Sequence, residues 1–351
     1  MVLVVLAAMA GLGFWGRNRI HFDFGAFRTQ IALADWHRIV IAIVCIYSVY
    51  LFRAARWSLL LRHNKKVPLF FLTGTQVMGF TAVALIGRVA DPVRPYLVAK
   101  RTGLTLSTQI AVYIVERLFD AGSMALIFSS VILFTYWFGL TASLPHPEFV
   151  KRAAVAGIVL TAMGALFLVA VRLSGNAVAL LFEKAFGAIS EKLGHAAANK
   201  IRAFHTGLDT IRTLSDFAIT ATISITMWSM ISFAYLETIR AFTASPQLAG
   251  ISLPGCMLML AWSGGVSVFQ LPILGWFSQI AFVATALSTF FGASPEAATA
   301  CAATLLLVTF LSIIPVGLVW ARFEHVSLRK LAAESGHAEE ELAVAETAPE
   351  K

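Results

Sequence analysis

Charged side chains are scarce in this chain. Asp, Glu, Lys and Arg together make 13% of its 351 residues, about half the share of an ordinary soluble domain. That excludes a water-facing surface over most of the sequence. The three cysteines (Cys45, Cys256, Cys301) each lie in an apolar run. None stands at a metal-like or redox-like spacing, so they read as small buried hydrophobes. The eight histidines read as loop residues without ligand spacing. There is no Gly-rich ATP loop, no Gly-x-Ser-x-Gly and no Asp-rich divalent motif. No catalytic residue, metal or cofactor is therefore expected, and an energy-consuming pump would need a partner. No nucleic-acid recognition module is visible either.

What is abundant is apolar sequence: 58% of the chain, with mean hydropathy +0.79. Windows such as Ile39–Phe52, Leu118–Leu140, Ala153–Val171, Phe217–Phe233 and Ala297–Trp320 approach or exceed the ~20 residues that cross a hydrocarbon core. Packed this densely they predict one all-α polytopic membrane protein, without room for a soluble catalytic domain. About eight transmembrane helices are expected, near 1–15, 37–61, 105–138, 150–172, 216–240, 252–270, 271–291 and 296–320. Met1–Phe14 lacks the positive n-region of a signal peptide and reads as a short first span, although Ala8–Ala10 leaves a cleaved signal as the alternative.

Segment 68–101 is left over. Its first part, Pro68–Ile86, is apolar with Gly74 and Gly79; its second is charged and holds Pro92 and Pro95. This pattern predicts re-entrant or broken half-helices that return to one side, with extended backbone before each proline. Segment 254–275 echoes it, with Pro254, Gly255, Gly264, Gly265, Pro272 and Gly275. Paired broken segments point to a transporter's midplane site and to an inverted repeat. The domain expected is thus 1–322, with halves 1–172 and 216–322. They are joined by an amphipathic cytoplasmic segment, 173–215, whose Ile201, Phe204, Leu208 and Ile211 share one helical face. That face reads equally as a membrane-surface helix or as a brace. The polar remainder, 323–351, reads as a disordered cytoplasmic tail.

Charge is unevenly distributed. Residues 1–101 hold 13 of the 27 Lys and Arg but only three acids. The basic turns 53–66 and 173–215 place that side, and both termini, in the cytoplasm. Arg17, Arg19 and Arg28 in loop 16–36 conflict with this. The nearest polyanion for so apolar a chain is the headgroup layer of anionic lipids.

One block of charge interrupts the apolar sequence, and charge within a bilayer costs about 2.5–3.5 kcal/mol per residue even on lenient scales. Arg88 and Arg94 flank Asp91 beside Pro92. Guanidinium forks and freed backbone N–H groups there suit a phosphate, or else the loop anchors to headgroups. Glu116, Arg117 and Asp120 share a helix, with Glu116 and Asp120 on one face. If that helix starts near Thr105 the triplet lies about 17 Å in, at 1.5 Å per residue. A structural ion network and a ligand- or ion-coupling role are equal readings. Arg53 and Arg56, beside Trp57 as an interfacial anchor, read as a topology signal or as headgroup ligands. Glu237 and Arg240 read as a local pair. Gln279, with Pro272 and Gly275, could line or gate a path.

These motifs resemble the lysylphosphatidylglycerol synthase transmembrane region family, a flippase-like domain that also includes hopanoid-associated membrane proteins. The likeness covers roughly 1–322. It rests on Arg53-Ala-Ala-Arg56-Trp57, on Gly87-Arg88…Asp91…Arg94, and on Val115-Glu116-Arg117-Leu118-Phe119-Asp120, with Thr-Gly-Leu-Thr-Leu-Ser between. The chain departs from the family at Ala90-Asp91, where Gly-Glu is usual, and at Gln279, where an acid is usual. The missing acid weighs against a proton-coupled step at that position.

The resemblance implies a prokaryotic cytoplasmic-membrane protein that moves or presents an anionic or modified lipid. Its partners would be membrane lipids and, in a complex, lipid-biosynthesis enzymes. Larger members carry a soluble aminoacyl-transferase domain; none is seen in these residues, and a transporter rather than an enzyme is expected. The expected headgroup site is Arg53, Arg56, Arg88, Asp91, Arg94, Glu116, Arg117 and Asp120, gated near Pro92, Pro272, Gly275 and Gln279. A lipid-modifying enzyme and a non-transporting scaffold are the competing readings.

Overall fold

A computed structural model of the chain describes residues 22–139, 147–208, 213–266 and 274–325, together with Ser327 and Glu334. The expected first span, Arg17 and Arg19, Pro272, Ile211 and most of the tail lie outside the described residues. What is described is all-α, and six of its helices are long and apolar enough to cross a membrane.

Helix α1 (Phe24–Ala32) leads into α2 (Trp36–Leu61), whose N-cap Asp35 accepts from the backbone N–H groups of His37 and Arg38. A basic turn follows, then α3 (Leu69–Ile86). The eight expected spans omit α3, yet it is an 18-residue apolar helix. From Leu72 to Ala84 it is buried on nearly every side, which is why its sequence shows no amphipathic stripe. Gly87, at φ +93°, ends it. A one-turn 3-10 segment, Arg88–Ala90, leads into α4 (Val93–Thr102).

Here the sequence reading fails locally. Asp91 and Pro92 are helical in φ and ψ, and Pro95 lies inside α4 rather than breaking it. Pro95 is the third helical residue, where no intrahelical acceptor exists for an N–H, so the missing donor costs nothing.

Next come α5 (Leu106–Trp137), capped by Thr105, and α6 (Pro147–Gly187). The span expected at 150–172 continues past a kink at Ser174 and returns as α7 (Glu191–Leu208). Ala198 and Ile201 of α7 are buried against Val171 and Ala179 of α6 and Val112 and Val115 of α5. The face marked by Ile201 is therefore turned into the protein. His195 and His205 are on α7, not in loops.

Helix α8 (Leu214–Arg240) opens with a reciprocal capping box between Thr213 and Asp216. Then follow α9 (Leu253–Val266), α10 (Leu274–Phe291) and α11 (Pro295–Phe323). A π-helical stretch at Leu307–Leu311 interrupts α11, and the Tyr47 hydroxyl donates to the Ser312 carbonyl beside it at 2.7 Å. Glu237 pairs with Arg38 at 2.7 Å, while Arg240 donates to the Ile251 carbonyl, so the expected Glu237–Arg240 pair is not formed.

Chain direction places these elements. Lys65, after α2, donates to the Thr102 carbonyl at the end of α4 at 2.6 Å, and Arg101 pairs with Glu324 past α11. Hairpin α3–α4 thus starts and finishes at this basic end. Gly255 of α9 lies against Phe291 of α10, so hairpin α9–α10 starts and finishes at the opposite end.

Candidate functional site

Helices α2, α4, α5 and α8 bring polar side chains together between them. Four arginines meet two carboxylates there. Glu116 Oε1 is 2.9 Å from Arg56 Nη2, 3.3 Å from Arg94 Nη1, and 3.4 Å from both Arg53 Nη1 and Arg117 Nη2. Asp120 takes Arg56 Nη1 at 2.7 Å, Arg53 Nη1 at 3.3 Å and Arg117 Nη2 at 3.7 Å. The two acids are one helical turn apart on α5, so one face delivers both. Arg53 and Arg56, three apart on α2, reach them from one side.

Depth follows from helix rise. Glu116 is ten residues into α5, and Ser224 ten residues into α8, each about 15 Å from the basic end at 1.5 Å per residue. Arg56 and Arg94 are fully buried, and Glu116 is 1% exposed. Arg117 alone is a third exposed. Trp57, expected as an interfacial anchor, is instead packed in the core and donates to Gln109 Oε1 at 3.2 Å. Arg53 and Arg56 are likewise not a surface topology signal, since they point inward to the acids.

Neutral polar and aromatic groups complete the cluster, and sequence reasoning missed them. Gln76 Oε1 accepts from Arg94 Nη1 at 3.0 Å, and Ser224 Oγ accepts from Arg56 Nη1 at 2.7 Å. Trp228 Nε1 donates to Asp120 Oδ1 at 3.4 Å. Arg94 lies over the rings of Phe80 at 4.6 Å and Tyr113 at 5.0 Å. The available signal was Gln76 standing alone in an apolar helix and Gln109 two turns before Glu116 on α5. Gly79 makes the fit possible, because a Cβ there would sit 2.1 Å from Arg94 Cγ.

Other expected site residues lie elsewhere. Arg88 and Asp91 pair with each other at 3.5 Å, partly exposed, on the turn between α3 and α4, with Asp91 within electrostatic range of Arg117. Of Arg88 and Arg94, only Arg94 reaches Glu116, at 3.3 Å. Pro92 precedes α4 as its N-cap residue. Gly275 is at the start of α10, and Gln279 donates to Ser263 Oγ at 3.2 Å, beside the Tyr235 hydroxyl. Among the described residues no three His, Cys, Asp or Glu are grouped to hold a metal ion.

The sequence matches the family described as Lysylphosphatidylglycerol synthase TM region over residues 1–317. The chain belongs to that family. Comparison with curated proteins and with solved structures returned no match. Membership establishes a multi-pass membrane protein of a lipid-handling family, and the buried cluster is where this chain concentrates its polar chemistry.

Three buried guanidinium groups against two carboxylates leave a net charge of +1 in the interior, and Arg117, a third exposed, adds one more at its edge. Removing ions from water costs several kcal/mol each even after relaxation. Arg94 Nε and Nη2, Arg56 Nε and Arg117 Nε are buried without a hydrogen-bond acceptor, and so are Gln76 Nε2 and Gln109 Nε2. Glu116 Oε2 is buried without a donor. The arrangement can take up an acceptor-rich anion and, at Glu116, one hydroxyl or ammonium.

Proposed function

We propose that this protein moves an anionic or modified lipid between the leaflets of a prokaryotic cytoplasmic membrane. The headgroup passes through the Arg53, Arg56, Arg94, Arg117 cluster while the tails stay in the bilayer. The observation that carries this reading is the excess of guanidinium over carboxylate, with buried N–H groups left over, about a third of the way along α5 from the basic end. A phosphate crossing bare hydrocarbon faces an idealised cost of tens of kcal/mol. A planar fork that binds two oxygens at once lowers that barrier without an energy source. Downhill exchange is accordingly the simplest mechanism.

The basic end, with Arg62, Lys65, Lys66, Lys100 and Arg101, faces the cytoplasm by the positive-inside rule. On this reading α3–α4 re-enters from the cytoplasmic side and α9–α10 from the other, an inverted arrangement about the headgroup site. The α3–α4 hairpin carries Arg94, so its movement admits the headgroup.

The close packing of the cluster favours a second reading, a purely structural ion network that clamps α2, α4, α5 and α8. Purified protein in vesicles with headgroup-labelled phosphatidylglycerol separates the two. Transport predicts accelerated leaflet exchange that falls in Arg94→Gln and Glu116→Gln while both variants stay folded. Absence of exchange by the unmodified protein refutes transport. Formation of a modified lipid without net movement assigns the family's other activity, lipid chemistry, to this chain.

A further inference from the structure

Two glutamines beside the cluster have their amide orientation dictated by their partners. A guanidinium only donates, so the atom of Gln76 that faces Arg94 Nη1 at 3.0 Å is its carbonyl oxygen. An indole N–H also only donates, so Gln109 turns its carbonyl oxygen to Trp57 Nε1 at 3.2 Å. Both NH2 ends are left over, fully buried and without an acceptor. Arg94 links the two, holding Gln76 directly and lying 5.8 Å from the Trp57 ring. Its own Nε and Nη2 are likewise without an acceptor. Gln109 precedes Glu116 by seven residues on the same face of α5, which places it about 10 Å nearer the basic end. The cluster therefore continues toward that end as a run of donors. Among the described residues its one unpartnered acceptor is Glu116 Oε2.

We infer that Gln76 and Gln109 select the headgroup: the site takes a phosphate that carries hydroxyls and refuses an ammonium-bearing or aminoacylated one. The inference rests on the headgroup reading above and narrows its lipid. An ammonium group brings donors alone, and here it meets the leftover N–H groups of both amides and of Arg94. It also enters beside guanidinium groups that already outnumber the carboxylates. Glu116 Oε2 does not rescue it, because the other oxygen of that carboxylate already serves four guanidinium groups. A hydroxyl donates to Oε2 without adding charge and accepts from an amide through its lone pairs. Buried polar groups left unpaired by the wrong ligand are what give such a site its discrimination.

The test is leaflet exchange by the full chain in vesicles, with the label on the acyl chain and the headgroup varied among phosphatidylglycerol, phosphatidylethanolamine and lysyl-phosphatidylglycerol. Exchange of phosphatidylglycerol should be faster than that of the other two by about tenfold or more, the effect of an unmatched buried hydrogen bond. The decisive variant is Gln109→Glu. It keeps the size of the side chain and an acceptor for Trp57, and replaces the free NH2 by a second acceptor. The preference should narrow or reverse in it. Gln76→Glu, which keeps an acceptor for Arg94, makes the same test if Gln109→Glu does not fold. Equal exchange of the three lipids, faster exchange of an ammonium lipid, or an unchanged ratio in a folded glutamate variant overturns the inference and leaves the headgroup reading standing. No exchange of any lipid rejects transport. Thermal stabilisation by dioctanoyl phosphatidylglycerol and dioctanoyl phosphatidylethanolamine then decides the selection by itself, since a ligand raises stability in proportion to its binding. Greater stabilisation by the glycerol lipid upholds it; equal or absent stabilisation overturns it.

Discussion

Arg56 Nη1 lies 2.7 Å from Asp120 Oδ1, and neither residue is more than 5% exposed. They are 64 positions apart, on α2 and α5. Breaking one half of a buried pair costs about 3–5 kcal/mol, because the surviving charge stays buried without its partner. Asp120→Asn should therefore lower thermal stability in detergent sharply. The Arg56→Met/Asp120→Leu double variant should recover most of that loss. A double variant less stable than either single one contradicts this account of the pair.

Arg94 and Arg88 should behave differently, although the sequence presents them alike. Arg94→Gln removes a buried cation that touches Glu116 and Gln76. Loss of one charged hydrogen bond predicts about a tenfold fall in headgroup-labelled lipid exchange. Arg88→Ala disturbs a partly exposed pair with Asp91, worth about 0–1 kcal/mol, and should leave exchange near the unmodified rate. Equal losses would show that the turn, not the buried cluster, contacts the headgroup.

Gly79→Val should phenocopy the loss of Arg94. Its Cβ would meet Arg94 Cγ at 2.1 Å, on a stretch of helix buried on nearly every side. Overpacking of a filled core costs about 1–3 kcal/mol. Thermal unfolding and lipid exchange measured on the same preparation should fall together. Gly164→Val is the control, since nothing lies within 4 Å of a Cβ there.

The Thr213–Asp216 capping box holds the start of α8, and Asp216 also takes Arg62 and, at 3.0 Å, His63 Nε2. Thr213→Ala removes a cap worth about 0.5–2 kcal/mol. The melting temperature should drop modestly while preference among headgroups is unchanged. A changed preference would mean that this end of α8 helps choose the lipid.

The sequence by itself determined the class and the cast. Scarce charge and long apolar runs allow only a polytopic helical protein, because unpaired backbone in lipid is too costly. The isolated charges at 53, 56, 94, 116, 117 and 120 mark themselves by the same cost. Tertiary structure decided which of them meet. Arg88 and Arg94 are six residues apart with similar neighbours, and only the hairpin fold turns one inward and leaves the other on the turn. Trp57 looks interfacial until α5 supplies Gln109. Pro95 looks like a helix breaker until the helix start is placed two residues before it. A burial pattern with no polar face, as in α3, carries no period to read. Where nearly every side of a helix is covered, its partners are set by packing across the chain, and that information is not local.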